Sequence, residues 1–121
     1  MANTFKVVTF AAEPASAGTA YKMYTCAGST TTVVLGLILT NINTTAVTAE
    51  VELVSDTGNR GGANNVANGT SFLVKDVSIP AGSSLEVLTG GKVVMETTDI
   101  LRVDCSVADK LSGTLSIMEI T

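Results

Sequence analysis

The chain has 121 residues, 45% hydrophobic, 15% charged and 4% aromatic, with no His, no Trp and a net charge of −4. That length fits one domain, residues 1–121, and so apolar a chain is not a disordered one. The 7 Lys and Arg against 11 Asp and Glu argue against a nucleic-acid module, which needs a basic face, and the missing His removes the commonest general base and metal ligand.

Valine, threonine and isoleucine recur throughout, and β-branched side chains favour strands. In chain order, Phe5 to Phe10 and Thr19 to Cys26 are the first expected strands, the least sharply patterned, with a loop from Glu13 to Gly18 between them. Thr32 to Ile42 is apolar on both faces, Val33, Leu35, Leu37 and Leu39 against Val34 and Ile38, which predicts a central strand. Asn43-Thr44-Thr45 reads as a short hairpin connection to Ala46–Val54, where Val47, Ala49, Val51 and Leu53 alternate with Thr48, Glu50 and Glu52. Ser71 to Ile79 is the next strand and ends in the turn Pro80-Ala81-Gly82-Ser83. Leu85 to Leu88, with Glu86 outward, and Lys92 to Glu96 flank the turn signal Gly90-Gly91. Leu101, Val103, Cys105 and Val107 alternate with Arg102, Asp104 and Ser106, and Leu115 and Ile117 begin the last strand, where Met118 and Ile120 blur the inward face. No segment carries helical apolar spacing. About eight short antiparallel strands predict an all-β sandwich of jelly-roll or Greek-key type, with a closed small barrel as the alternative. Phe5, Phe10 and Phe72 are the expected core fillers, and Tyr21 and Tyr24 are expected on opposite faces of their strand.

Residues 56–68 are nearly all turn formers around one cation, Arg60. They are long for a hairpin connection. The candidate contact residues are Asp56, Asn59, Arg60, Asn64 and Asn65, in a loop that is either a solvated tip or a surface ordered by a partner.

The chemistry-bearing residues are sparse. Asp56-Thr57-Gly58 after Leu53-Val54 resembles the aspartic-protease signature, but Asn59 stands where those enzymes carry Ala or Ser, and no second apolar-Gly-Arg block follows. Glu50 and Glu52 share a solvent face, and Asp99 and Asp104 flank one strand; neither pair reads as a shielded acid and base. The 56–68 loop offers one aspartate and several Asn where calcium needs several converging oxygens, and two distant Cys without His make no zinc site. No catalytic residue, metal or cofactor is expected. A glycan- or host-surface-binding sandwich is the alternative function, with few aromatic platforms to support it. Cys26 and Cys105 read as buried thiols, or as an inter-sheet bridge without the Trp and Tyr that accompany one in antibody-like domains. The N-terminus has no basic start with a long apolar run, so no secretory signal is expected, and no segment is long enough to span a bilayer as a helix. The low charge leaves two readings: a surface of hydroxyls that keeps a free domain soluble, or faces covered by neighbours, since charge is depleted from interface cores.

The stretches Val33–Ile42, Val47–Val51 and Lys75–Val87, the Gly-Gly-Lys-Val-Val block at 90–94, Asp99–Val103 and Leu115–Glu119 resemble small β-sandwich virion proteins of tailed bacteriophages, over roughly residues 30 to 121. The resemblance implies a non-enzymatic structural part of the head surface, neck or tail, assembled in the host cytoplasm. It implies a homo-oligomer, with a trimer or larger ring as the natural symmetry, and contacts with other virion proteins such as the major capsid protein. Head decoration or cement is the favoured position. No functional residue of such proteins transfers onto this chain, because their role lies in broad surfaces.

Overall fold

Nine strands follow one another in the computed structural model, which describes residues 2–55 and 69–121: β1 (Asn3–Glu13), β2 (Tyr21–Thr25), β3 (Thr31–Asn41), β4 (Val47–Ser55), β5 (Gly69–Ile79), β6 (Ser84–Glu86), β7 (Val93–Met95), β8 (Ile100–Cys105) and β9 (Leu111–Ile120). There is no helix among the described residues. The strands make two antiparallel sheets: β1-β9-β3-β6, with β7 also on β3, and β2-β8-β4-β5. The pairs are nested, β1 with β9, β2 with β8, β3 with β6 and β7, β4 with β5. A long antiparallel ribbon rolled up in this way is a jelly roll, so the predicted sandwich holds and the closed barrel does not. The predicted contact residues Asp56, Asn59, Arg60, Asn64 and Asn65, and the Asp56-Thr57-Gly58 motif, lie outside the described residues.

The core is the layer between the sheets. Val34, Leu37, Leu39, Leu115 and Ile117 reach it from one side, and Ala49, Val51, Leu101 and Val103 from the other. β4 and β8 deliver their inward residues by simple alternation, as expected. β3 is central, also as expected, but its two apolar faces have a different cause. A bulge between Val34 and Gly36 inserts one residue and reverses the alternation. Thr32 and Val34 point inward before it, Leu37, Leu39 and Asn41 after it.

Three expectations are corrected. First, Asn43-Thr44-Thr45 is not a hairpin connection, because β3 and β4 belong to different sheets. It is an arch across the sandwich, and fully buried Asn41 staples it. The Asn41 side-chain amide donates to the Thr45 carbonyl at 3.0 Å and the Ile79 carbonyl at 2.8 Å, while its oxygen accepts the Asn43 N–H at 2.8 Å. Second, Tyr21 and Tyr24 lie on the same, inward face: a register shift between Lys22 and Tyr24 places them opposite Val103 and Leu101, both buried. Third, of the three phenylalanines only Phe10 is in the core. Its ring lies opposite Gly113 and meets Tyr21 edge-on, with centroids 5.3 Å apart. Phe5 and Phe72 are exposed, because each sits at an outward position of an edge strand.

Candidate functional site

The two outer faces of the sandwich differ in charge. On the β2-β8-β4-β5 sheet, outward positions carry ions that pair across strands: Lys75 Nζ lies 3.1 Å from Glu50 and Arg102 bonds Glu52. Lys75 also sits over the exposed Phe72 ring, 4.6 Å from its centroid. Glu50 and Glu52 thus form an ion ladder across strands, their side chains 21% and 13% exposed beneath the more open Lys75 and Arg102.

The β1-β9-β3 face is of another kind. Directly opposed residues share a face in an antiparallel sheet. Phe5 is opposite Met118, Met118 opposite Val33, and Val33 opposite Val94, so four strands align one apolar row. Phe5 is 71% exposed, Val7 64% and Val94 54%. Val7 is opposite Ser116, Ile120 opposite Asn3 and Thr31, and Ile38 opposite Thr114, so the row is bordered by more apolar groups and by hydroxyls. Among the described residues charge enters at the far rim, where Glu86 is opposite Ile38 and Glu96 accepts a hydrogen bond from the Thr31 hydroxyl at 3.2 Å. Met118 and Ile120 therefore face outward, and their apolar character belongs to this surface rather than to the core. The parity of Phe5, Val7, Met118 and Ile120 is visible in the sequence; which parity faces solvent depends on the opposite sheet.

Behind the row, on the inner face, polar groups join the sheets. Glu119 accepts from the Tyr24 hydroxyl at 2.6 Å and pairs with Lys6 Nζ at 2.6 Å, and Tyr24 also bonds Thr32 at 2.7 Å. Lys6 and then Tyr24 hold the Glu119 carboxyl below its usual value near 4.5, whereas burial, followed by the Glu119 bond, pushes the Tyr24 phenol up. The sign for stability follows from Glu119. A depressed carboxylate contributes stability above its unfolded value and loses it as pH falls through its folded value. In chemical denaturation, the advantage of wild type over Glu119→Gln at pH 7 is expected to shrink below pH 4.5 and to close in stronger acid. An advantage that stays constant across that range would disprove the assignment.

Of the other candidate residues, Asp104 is opposite Glu50 and lines one open cavity with it and Asp76, while Asp99 lies apart from them. Asp99 is buried and its carboxylate accepts the Glu96 N–H at 3.0 Å in the turn before β8, while Asp104 faces outward and accepts the Gly18 N–H at 3.2 Å. Cys26 and Cys105 are both free and buried. The Cys26 N–H bonds the Asp99 carbonyl, which sets the two cysteines six residues apart along β8, roughly 20 Å, beyond any disulfide. Burial pushes the Cys26 thiol up, so it is a poor nucleophile. Among the described residues no group of three or more His, Cys, Asp or Glu is placed to hold a metal ion.

No protein-family model matches the chain, and neither does any curated protein. Among solved structures it is similar to a chain of the Bacillus endospore appendages, disulfide-linked pili, at 16% identity and a TM-score of 0.49, over 99% of this chain and 87% of that one. A likeness of that degree says nothing of what this chain does.

Proposed function

We propose that this protein is a non-enzymatic structural subunit of a tailed-phage particle that assembles with copies of itself and sits on the head surface as a decoration or cement protein. The observation that carries the reading is the segregation of charge: one outer face is an ion ladder suited to water, the other an apolar row bordered by hydroxyls. A contiguous exposed apolar patch rimmed by polar groups is the mark of a protein contact surface. The resemblance of residues 30 to 121 to virion sandwiches supports the same role, and the capsid surface is the partner it favours.

Two measurements test the two parts of the reading. Native mass spectrometry across a concentration series is expected to show a multimer, and a strictly monomeric protein at high concentration would overturn self-assembly. Mass spectrometry of purified particles from lysed host cells is expected to find the chain in many copies per particle. Its absence from the particles would overturn the virion role. Met118→Lys, which places a cation in the middle of the row, is expected to weaken binding to the particle by at least tenfold, with the thermal midpoint unchanged.

A further inference from the structure

We infer that the free edge of β1 pairs with β1 of a second copy, antiparallel across a two-fold axis near Val7, so that two sandwiches share one continuous sheet. The inference rests on the self-assembly reading above and names the surface that performs it.

An edge strand presents a row of unpaired backbone groups, and proteins that remain monomeric blunt such edges with short strands, bulges or lysines. Three of the four edges here are blunted. β6 and β7 have three residues each. β2 has five and a register shift between Lys22 and Tyr24. β5 is long, but its pairing with β4 shifts twice, Asp76 within it has φ +50°, and Lys75 lies on it. β1 differs. Its register with β9 is unbroken from Asn3 to Phe10, and among the described residues it pairs with β9 alone in its sheet. Its one lysine in that stretch, Lys6, is on the inner face and is held by Glu119 at 2.6 Å.

The hydrogen-bond phase shows which groups are available. Ala2 and Thr121 exchange both backbone bonds, at 3.0 and 2.9 Å. In an antiparallel ladder, doubly bonded pairs alternate with unbonded ones. Thr4, Lys6, Val8 and Phe10 therefore bond β9, and the N–H and C=O groups of Asn3, Phe5, Val7 and Thr9 point away from it, to the open edge. These are also the residues whose side chains lie on the outer apolar face. One set of residues thus offers both the backbone bonds and the side-chain row to a strand arriving at the edge.

The occupant that fits is the same strand. A two-fold axis makes any edge complementary to itself, provided opposed residues match in parity and charge. With the axis at Val7, Val7 opposes its own copy, Phe5 opposes Thr9 and Lys6 opposes Val8. Moving the axis to Lys6 would set two lysines face to face, which is unfavourable. An axis between residues would match an edge-facing group to a β9-facing one and break the ladder. The dimer joins the two apolar rows into one longer face, which is the surface proposed above to meet the particle.

Val7→Pro tests this directly. It removes an N–H that points to the open edge and none that bonds β9, which an edge strand accepts. Wild type is expected to be multimeric, and Val7→Pro to shift to the monomer at the same concentration with an unchanged strand signal in circular dichroism. If Val7→Pro unfolds, Val7→Lys serves instead: it sets two cations opposite each other only in the dimer, and the same shift is expected. A folded variant that assembles like wild type would overturn edge pairing and leave self-assembly standing, whereas a monomeric wild type would overturn both. Val7→Cys is expected to cross-link to itself with a short bifunctional thiol reagent, the native thiols being buried. No cross-link in a multimeric sample would overturn the two-fold register.

Discussion

Asn41→Leu is expected to lower the unfolding free energy by about 4 kcal/mol, because it strips hydrogen bonds from two carbonyls and one N–H in a fully buried arch. Leucine is close in size, so the loss is one of polar satisfaction rather than packing. A change of that size is a large part of the roughly 5–15 kcal/mol that separates folded from unfolded domains. Asn41→Asp separates the two kinds of bond. It keeps the acceptor for the Asn43 N–H, but at neutral pH turns a carboxylate toward the Thr45 and Ile79 carbonyls. Asn41→Asp is therefore expected to be at least as unstable as Asn41→Leu at pH 7, and to recover part of the loss in acid, where a protonated carboxyl can donate to one carbonyl. Denaturant titration at two pH values checks both statements. A loss below about 1 kcal/mol for Asn41→Leu, the net worth of a single ordinary hydrogen bond, would mean that the arch does not depend on the staple.

Gly113→Ala is expected to cost about 3 kcal/mol, at the upper end for overpacking a core. A β-carbon at Gly113 would lie 2.2 Å from Phe10 Cε1 and 2.3 Å from Cζ, well inside any contact distance. The ring has little freedom to withdraw, being buried and engaged edge-on by Tyr21. Glycine here is thus required by close approach and not by backbone angle. Phe10→Ala alone should cost about 3–5 kcal/mol for the cavity it leaves. In that background the clash is gone, so Gly113→Ala is expected to be nearly neutral. A double-mutant cycle measures the coupling, and strict additivity would refute the contact.

Some of this was legible in the residues. The strand class, the inward residues of β4 and β8 and the outward Glu50 and Glu52 all follow from alternation, which is local, and the central place of β3 from apolar residues on both its faces. The bulges in β2 and β3 were not legible, because an inserted residue leaves no mark in composition and reverses every side chain beyond it. Simple alternation sets Tyr21 and Tyr24 on opposite faces, and the extra residue in β2 returns them to one. The hairpin expected at 43–45 failed for a related one: a short polar link serves equally within a sheet or across a sandwich, and the buried Asn41 that decides between them looks in sequence like any turn residue. An aromatic on an edge strand is as hydrophobic as one in the core, so composition does not separate the exposed Phe5 and Phe72 from the buried Phe10. The apolar row of Phe5, Met118, Val33 and Val94 joins residues from opposite ends of the chain, so only strand order could assemble it.

By itself, then, the sequence determined an all-β chain of sparse charge with little chemistry to offer, since propensity and period are properties of neighbouring residues. The tertiary structure decided where the missing charge is felt. Strand pairing over long separations gathered cross-strand ion pairs on the outer face of one sheet and an apolar row on the outer face of the other, with β1 open at its edge.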